Sequence, residues 1–275
     1  MEREITIAHS PDADDAFMFY ALAKEKVRRE GLRVRHVMAD IESLNQSAEE
    51  GKYEITAISY HAYAYLQDRY RILPVGSSLG EGCGPLVVGA RAASPEELAG
   101  KRIAIPGEKT TAHLALRLYQ PEFEPVFVHF DRVGKSVLDG ETDFGVLIHE
   151  GQVTYGDEGL FKVIDLGEWW LEETDLPLPL GANAIRRDLS GEDACMMTGL
   201  IRESIQYALD HREEALSYAL DFGRGVDQDR GDRFVEMYVN PYTIDLGEKG
   251  KRAVASLLGR AHEKGLIPNA PLLDF

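Results

Sequence analysis

The chain has 275 residues, of which 44% are hydrophobic, and this supplies a full core for one large domain or for two smaller ones. A formal net charge of −17, without a stripe of Lys and Arg, argues against nucleic-acid binding. Because no apolar run is long enough to span a membrane and the first residues lack a signal-peptide pattern, we expect a cytoplasmic protein.

Residues 1–90 alternate between strand and helix patterns. The strands are predicted at residues 4–9, 32–38, 54–58, 71–76 and 85–90. The helices are predicted at about residues 14–29, 43–50 and 60–68. Asp14 or Asp15 is placed to cap the first helix, and Ser43 is placed to cap the second. This order predicts an α/β unit with a mostly parallel sheet.

A second α/β unit begins near Ser94-Pro95-Glu96-Glu97-Leu98, a pattern typical of a helix start. Its strands are predicted at residues 102–105, 125–130, 143–148 and 161–166. Its helices are predicted at residues 110–119 and near 131–139. The segment therefore repeats the organisation of the first unit.

After the proline-rich segment 177–181, the sequence shows only helical periodicity, at residues 193–221, 228–239 and 246–264. We interpret this segment and residues 88–94 as two crossings between lobes. The predicted larger lobe is residues 1–90 plus 182–275, and the predicted smaller lobe is residues 91–181. Two α/β lobes with a double crossing predict a type II periplasmic-binding-protein-like fold, with the ligand in the interlobe cleft.

Several motifs that would indicate other chemistry are missing. The glycine-rich segment 76–85 lacks the lysine of a P-loop and does not join a strand to a helix, so we interpret it as an interlobe loop. Cys83 and Cys195 lie far apart and have no metal-ligand spacing, which predicts two free thiols and no metal site. No nucleophile motif surrounds Ser59.

Small polar residues follow the predicted strands at the points where an open sheet binds its ligand. Ser10 and Ser59 each end a strand, and Thr110-Thr111 open a helix after the turn Pro106-Gly107. Helix amino termini offer unpaired N–H groups, so this set suits a small carboxylate. Each hydroxyl could instead cap the helix that follows it.

His149 is the candidate catalytic residue, because the apolar run 145–148 resembles a buried strand and ends at this imidazole. A structural histidine, or one that only donates a hydrogen bond to a ligand, remains the alternative. Asn45 follows the predicted cap Ser43, where both a ligand contact and a surface position stay open. Tyr155 is a candidate for an aromatic wall.

Motifs from both ends of the chain together resemble the 1,4-dihydroxy-6-naphthoate synthase family of the futalosine route to menaquinone. They are Ser10-Pro11 with Asp15 and Phe17, Leu44-Asn45, Ser59-Tyr60 with Ala62-Tyr63, Gly84-Pro85-Leu86-Val87-Val88, Pro106-Gly107 with Thr110-Thr111-Ala112, Ile148-His149-Glu150, Thr154-Tyr155, Asp165-Leu166-Gly167 before Trp169-Trp170, Leu176-Pro177-Leu178-Pro179-Leu180-Gly181, and Tyr238-Val239-Asn240.

The resemblance implies a carbon–carbon lyase that converts cyclic dehypoxanthinylfutalosine to 1,4-dihydroxy-6-naphthoate without a metal or organic cofactor. It implies that His149 is the base and that Asn45 holds a polar group of the substrate. The residues that it implies for the substrate carboxylate are Ser59, Thr110 and Thr111. Ser10, Ala112 and Tyr155 complete the predicted substrate pocket.

The first loop departs from the family. The family usually has Ser-Pro-Cys-Pro-Asn-Asp-Thr-Phe, whereas this chain has Ser10-Pro11-Asp12-Ala13-Asp14-Asp15-Ala16-Phe17. The loop gains negative charge and loses a hydroxyl, which would disfavour an anionic group nearby and select another substrate. A paralogue with the same fold and another substrate therefore stays open. Two further alternatives are a chorismate dehydratase-like enzyme, which shares the fold, and a non-catalytic binding protein for a small carboxylate.

Overall fold

The computed structural model describes residues 3–222 and 226–275, in two β-sheets with helices packed around them. The strands are β1 (Arg3–His9), β2 (Leu32–Met38), β3 (Ile55–Ser59), β4 (Tyr70–Ile72), β5 (Ser78–Gly80), β6 (Leu86–Gly89), β7 (Arg102–Ile105), β8 (Glu124–Phe127), β9 (Phe144–Leu147), β10 (Phe161–Asp165) and β11 (Leu178–Arg186).

The helices are α1 (Ala13–Ala23), α2 (Ile41–Glu49), α3 (Tyr60–Leu66), α4 (Thr111–Tyr119), α5 (Val133–Leu138), α6 (Gly151–Thr154), α7 (Leu166–Thr174), α8 (Gly191–Asp210), α9 (Arg212–Leu220), α10 (Gln228–Tyr238), α11 (Pro241–Ile244) and α12 (Gly247–Glu263). Two short 3₁₀ helices cover Pro95–Leu98 and Phe130–Arg132. In these described parts of the chain, every helix is too short or too polar to cross a bilayer.

The first sheet has the strand order β2-β1-β3-β11-β4, and β5 also pairs with β11. β1 runs parallel to β2 and β3, while β11 runs antiparallel to β3, β4 and β5. The five strands of this sheet that come from the first 90 residues therefore run in the same direction, which confirms the predicted mostly parallel sheet, and β11 is inserted antiparallel between β3 and β4. β3 is buried along its whole length, which explains its apolar sequence.

The second sheet has the order β10-β6-β9-β7-β8. β7 is parallel to β8 and β9, and β6 is antiparallel to β9 and β10. β6 falls inside the predicted larger lobe but pairs in this second sheet, whereas β11 spans the predicted boundary at residues 181 and 182. The lobe boundaries stay a prediction.

The segment that was interpreted as a crossing at residues 177–181 forms the start of β11. Its prolines argued against a strand, because proline cannot donate a hydrogen bond within a sheet and normally occurs at an edge or a bulge. Pro179 pairs with Leu79 of the short strand β5, and the register shifts between Pro179 and Gly181. The chain thus accommodates the proline at an irregular position of the sheet.

Two helix limits also differ from the predictions. α1 ends at Ala23, rather than near residue 29, and Glu25 then takes a left-handed backbone conformation with φ 54°. The predicted helix at residues 193–221 is divided into α8 and α9 at His211. Cys83 and Cys195 are free thiols, as predicted.

One hydrophobic cluster joins the two sheets. It contains Ile58 and Ala184 from the first sheet together with Ile103 and Val146 from the second. Through this shared core, β3, β7 and β9 pack close to one another. The polar residues that follow these strands therefore meet around one space.

Candidate active site

A cavity of about 110 Å³ lies where the ends of these strands meet. The predicted site residues that line it are Ser10, Ser59, Thr110, Thr111, Ala112 and His149. Asn45 and Tyr155 are not part of the lining. The structure thus brings together residues from four separate strand ends, which stand far apart in the sequence.

Ser59 is held at one side of the cavity by Asn45. The Asn45 amide donates to the Ser59 hydroxyl at 3.1 Å, and its oxygen accepts from the Ser59 N–H at 2.9 Å. Asn45 is fully buried, so it is not a surface residue. Asn45 therefore orients Ser59 by two hydrogen bonds. The prediction that Ser43 caps α2 was wrong, because the N-cap is Asp40, whose side chain accepts from the N–H of Ser43.

The two threonines lie beside Ser59 at the start of α4. Thr110 is the N-cap of this helix, since its hydroxyl oxygen accepts from the N–H of His113 at 3.3 Å. Thr111 donates to the carbonyl of Leu180 at 2.6 Å and accepts from the N–H of His61 at 3.3 Å. Thr111 therefore connects α4 to β11 and α3. The Thr110 hydroxyl donates to the carbonyl of Gly107 at 2.9 Å, so both threonine hydroxyls donate within the protein, and the Ser59 hydroxyl and the amino terminus of α4 are the groups that can hold an anion here.

His149 faces the cavity from the end of β9. Its backbone has a φ of 58°, a conformation that costs a residue with a side chain about 1 kcal/mol and that recurs at functional sites. Its Nδ1 lies 2.6 Å from Oδ2 of Asp12, and the ring of Phe130 meets the imidazole edge-on at 5.1 Å. The imidazole is 13% exposed, so its position is set mainly by protein contacts.

Asp12 opens the acidic loop, residues 12–15, whose Asp14 and Asp15 lie in the first turn of α1. The side chains of this loop bind serine residues and do not cap the helix. The Ser10 hydroxyl donates to Oδ2 of Asp12, and the Ser10 N–H donates to Oδ2 of Asp15 at 2.8 Å. Asp14 accepts from the hydroxyl of Ser78 at 3.3 Å. The prediction that Asp14 or Asp15 caps α1 was wrong, because the N-cap position belongs to Asp12, and its side chain makes no cap hydrogen bond.

Burial and mutual repulsion change the charge of this loop. Burial, followed by the charges of Asp15 and Asp12, raises the pKa of Asp14 well above its usual range. Burial also raises the pKa of Asp15 to about 7, against the opposing effect of the N–H from Ser10. Near neutral pH the loop is therefore less negative than its three carboxyl groups suggest.

Other residues of the lining were not predicted. They include Ser78, Gln152, Phe234 and Tyr238. The Tyr238 hydroxyl lies 2.6 Å from the side-chain amide of Gln152, and burial raises the pKa of this tyrosine well above its usual range. The motif Tyr238-Val239-Asn240 was the one sequence signal for this set, and it gave no site role, because β5, α6 and α10 reach the cavity only through the tertiary fold. Tyr155 packs instead against the cluster that contains Leu86, Val88 and Leu160.

Within residues 3–222 and 226–275, no group of three or more His, Cys, Asp or Glu side chains could hold a metal ion. The polar groups that face the cavity are instead hydroxyls, carboxyls, one amide and the imidazole of His149. This arrangement can bind an anionic group at the threonines and transfer a proton at the histidine.

Comparison with known proteins places the chain among related sequences over nearly its whole length. A family model described as menaquinone biosynthesis matches residues 5–263. The chain is 42% identical over 268 residues to 1,4-dihydroxy-6-naphthoate synthase of Thermus thermophilus, with 97% of each chain covered. It is 37% identical over 271 residues to the protein of the same name from Streptomyces coelicolor, with 96% of this chain and 95% of the relative covered.

Solved structures agree with the fold. A crystal structure of a protein from Archaeoglobus fulgidus is 52% identical, with a TM-score of 0.92 and coverage of 96% of this chain and 98% of that one. The alkanesulfonate-binding protein SsuA from Xanthomonas axonopodis is only 12% identical but has a TM-score of 0.75, with 98% and 96% covered. This second likeness concerns the fold alone, and it confirms the predicted periplasmic-binding-protein-like architecture.

Proposed function

The chain belongs to the menaquinone biosynthesis family, and we propose that it is a 1,4-dihydroxy-6-naphthoate synthase. In this proposal it converts cyclic dehypoxanthinylfutalosine to 1,4-dihydroxy-6-naphthoate and acts as a carbon–carbon lyase. The observation that carries the proposal is the cavity itself, which has hydroxyls and a helix amino terminus on one side and His149 on another. The two related 1,4-dihydroxy-6-naphthoate synthases align with nearly the whole chain, which supports the proposal.

The carboxylate of the substrate binds beside the threonines. The hydroxyls of Ser59, Thr110 and Thr111 line this part of the cavity, and the first N–H groups of α4 stabilise a negative charge there. The acidic loop does not prevent this binding, since two of its carboxyl groups have raised pKa values. A carboxylate at one end orients the substrate, so that its reacting carbon faces the histidine.

His149 acts as the base. Loss of the sugar-derived fragment and aromatisation of the remaining ring require the removal of a proton from the substrate, and a neutral imidazole can accept it. The left-handed backbone at residue 149 turns this side chain from the end of β9 into the cavity.

The function is tested with three arms of one experiment. Purified protein is incubated with cyclic dehypoxanthinylfutalosine, with chorismate, or with no substrate, and the products are followed by mass spectrometry. We expect 1,4-dihydroxy-6-naphthoate from the first arm only. Consumption of chorismate would instead identify a chorismate dehydratase-like enzyme, and binding of either compound without turnover would identify a binding protein.

The role of the base is tested by replacing His149. We expect His149→Ala to lower kcat by about 10²- to 10⁴-fold, because positioned proton transfer typically contributes that much. His262→Ala is the matched control, since His262 is exposed near the end of α12 and does not line the cavity. An unchanged kcat in His149→Ala would remove this residue from the mechanism.

The anion-binding side is tested by removing a hydroxyl that has no role in capping a helix. Ser59 is the N-cap residue of α3, but its side chain makes no cap hydrogen bond. We expect Ser59→Ala to raise KM about tenfold, since a hydrogen bond to a charged group contributes roughly 1.5 kcal/mol or more. Steady-state kinetics with varied substrate measure this change, and a KM equal to that of the wild type would contradict it.

A further inference from the structure

We propose that Asp12 is a positioning residue, which holds His149 in the tautomer with its proton on Nδ1 and leaves Nε2 to accept the proton of the substrate. The proposal rests on the proposed function, in which His149 is the base. Asp12 stands at the position where the loop departs from the family pattern described above. The orientation of the base would therefore depend on a residue that departs from the usual family pattern.

The contact between the two side chains fixes which nitrogen carries the hydrogen. Oδ2 of Asp12 lies 2.6 Å from Nδ1 of His149, and the same oxygen accepts the hydroxyl proton of Ser10. An ionised carboxylate can only accept hydrogen bonds, so the hydrogen between the two residues belongs to Nδ1. In a neutral imidazole the second nitrogen, Nε2, is then the basic one.

The surroundings keep this contact in place. Asp12 is 2% exposed and lies at the start of α1, whose Ala13 N–H donates to the carboxylate of Glu150 at 3.1 Å. The adjacent residues Asp12 and Ala13 thus bind the adjacent residues His149 and Glu150. Phe130 packs edge-on against the imidazole and limits its rotation. The pair also connects residues that are 137 positions apart, so folding of both units is needed to form it.

A second histidine–aspartate pair has the same contact distance, but it is exposed to solvent. Nδ1 of His129 lies 2.6 Å from Oδ1 of Asp131, but both side chains are more than half exposed, at 52% and 58%. An exposed pair of this kind contributes little, because water and salt screen it. Burial is thus what distinguishes the Asp12 and His149 pair, and Asp131 provides a matched control.

Asp12 also has an effect after the proton has moved. When His149 accepts the proton of the substrate, the imidazole becomes a cation, and the buried carboxylate beside Nδ1 stabilises that charge. The proton goes from the substrate carbon to Nε2, and the carboxylate itself is not protonated. Removal of Asp12 should therefore lower kcat much more than it changes KM.

The tautomer can be measured in the resting protein without substrate. Protein labelled with ¹⁵N-histidine gives a long-range ¹H–¹⁵N spectrum, in which the signals of His149 among the 8 histidines are assigned by their loss in His149→Gln. We expect Nδ1–H in the wild type and a shift to Nε2–H in Asp12→Ala. Asp12→Asn keeps an oxygen acceptor at this position, so we expect it to retain Nδ1–H.

Kinetics of the same proteins provide the second readout. We expect Asp12→Ala to lower kcat by about 10²-fold with KM within about threefold, and we expect Asp12→Asn to recover part of that loss. Asp131→Asn should match the wild type in both measurements. Unchanged Nδ1–H or an unchanged kcat in Asp12→Ala would overturn the proposal, and Asp12→Asn decides the question by its tautomer if Asp12→Ala does not fold.

The two proposals fail in different ways. Absence of product from the wild type would contradict the proposed function, while the tautomer of His149 would still show whether Asp12 positions it. A wild type that forms product but holds His149 as Nε2–H would contradict the inference alone.

Discussion

Burial determines how the acidic loop at the start of α1 affects stability. Asp15 has a pKa of about 7 in the folded protein, against an ordinary value of 3.8. Between these two values the folded protein keeps a proton that the unfolded chain has lost. The contribution of Asp15 to the free energy of unfolding is therefore fully present below about pH 4. It falls by roughly 1 kcal/mol per pH unit as the pH rises to about 7.

The variant Asp15→Asn tests this effect. An asparagine oxygen can still accept from the N–H of Ser10, but the side chain no longer titrates. We expect the free energy of unfolding to fall less between pH 5 and pH 7 in the variant than in the wild type. Urea unfolding at both pH values measures the difference, and parallel pH profiles of the two proteins would show that Asp15 is not the group responsible.

Single residues show how far the sequence could predict the site. Ser59, Thr110 and His149 were found because each follows an apolar strand, and the ends of strands in an α/β sheet are a general place for ligands. The pairing of Asp12 with His149 could not be predicted, because no local pattern connects two residues in different sheets. The role of Asn45 does not follow from the sequence either, since only the fold shows that it is buried and bound to Ser59.

At the scale of elements, the close approach of α7 to the segment before β6 sets one wall of the cavity. A Cβ atom on Gly167, in the first turn of α7, would overlap the carbonyl of Cys83 and crowd the N–H of Gly84. Pro85, which follows directly, lines the cavity. This contact explains the need for glycine at position 167 through steric fit, since its backbone φ is not in the left-handed region.

We predict that Gly167→Ala destabilises the protein by about 1–3 kcal/mol, because backbone atoms must shift to admit the methyl group. Gly199→Ala is the matched control. Gly199 lies inside α8, and nothing approaches the position of its Cβ within 4 Å, so the change should stabilise the protein by up to about 1 kcal/mol. Thermal unfolding of both variants distinguishes these opposite effects, and an undiminished melting temperature in Gly167→Ala would contradict the steric argument.

Elements also differ in how well the sequence revealed them. β1 and β3 were predicted at nearly their observed limits, because apolar runs bounded by polar residues are typical of buried strands. β11 was missed since Pro177 and Pro179 are unusual in a strand, and α7 was missed since its tryptophans gave no helical period. Both errors concern segments whose structure is imposed by tertiary packing.

At the scale of the whole molecule, the cavity is enclosed by residues from both sheets. Thr111 at the start of α4 bonds to Leu180 of β11, and Lys109 forms an ion pair with Glu49 of α2. These contacts lie beside the cavity and connect the region at the start of α4 to β11 and α2. We predict a hinge motion that closes the two units around the ligand.

We predict that ligand binding makes the protein more compact on average. Small-angle X-ray scattering should show a smaller radius of gyration with saturating 1,4-dihydroxy-6-naphthoate than without it, because the ligand favours the closed arrangement. The variant Ser59→Ala at the same ligand concentration provides a comparison with weakened binding. Identical scattering curves for the wild type with and without ligand would contradict closure.

The most direct test of the proposed synthase is the formation of its product. Purified wild type and His149→Ala are each incubated with cyclic dehypoxanthinylfutalosine, and 1,4-dihydroxy-6-naphthoate is quantified by mass spectrometry over time. We predict steady product formation by the wild type and a rate lower by about 10²- to 10⁴-fold in the variant. Absence of product from a wild type that is folded and binds the substrate would contradict the central claim.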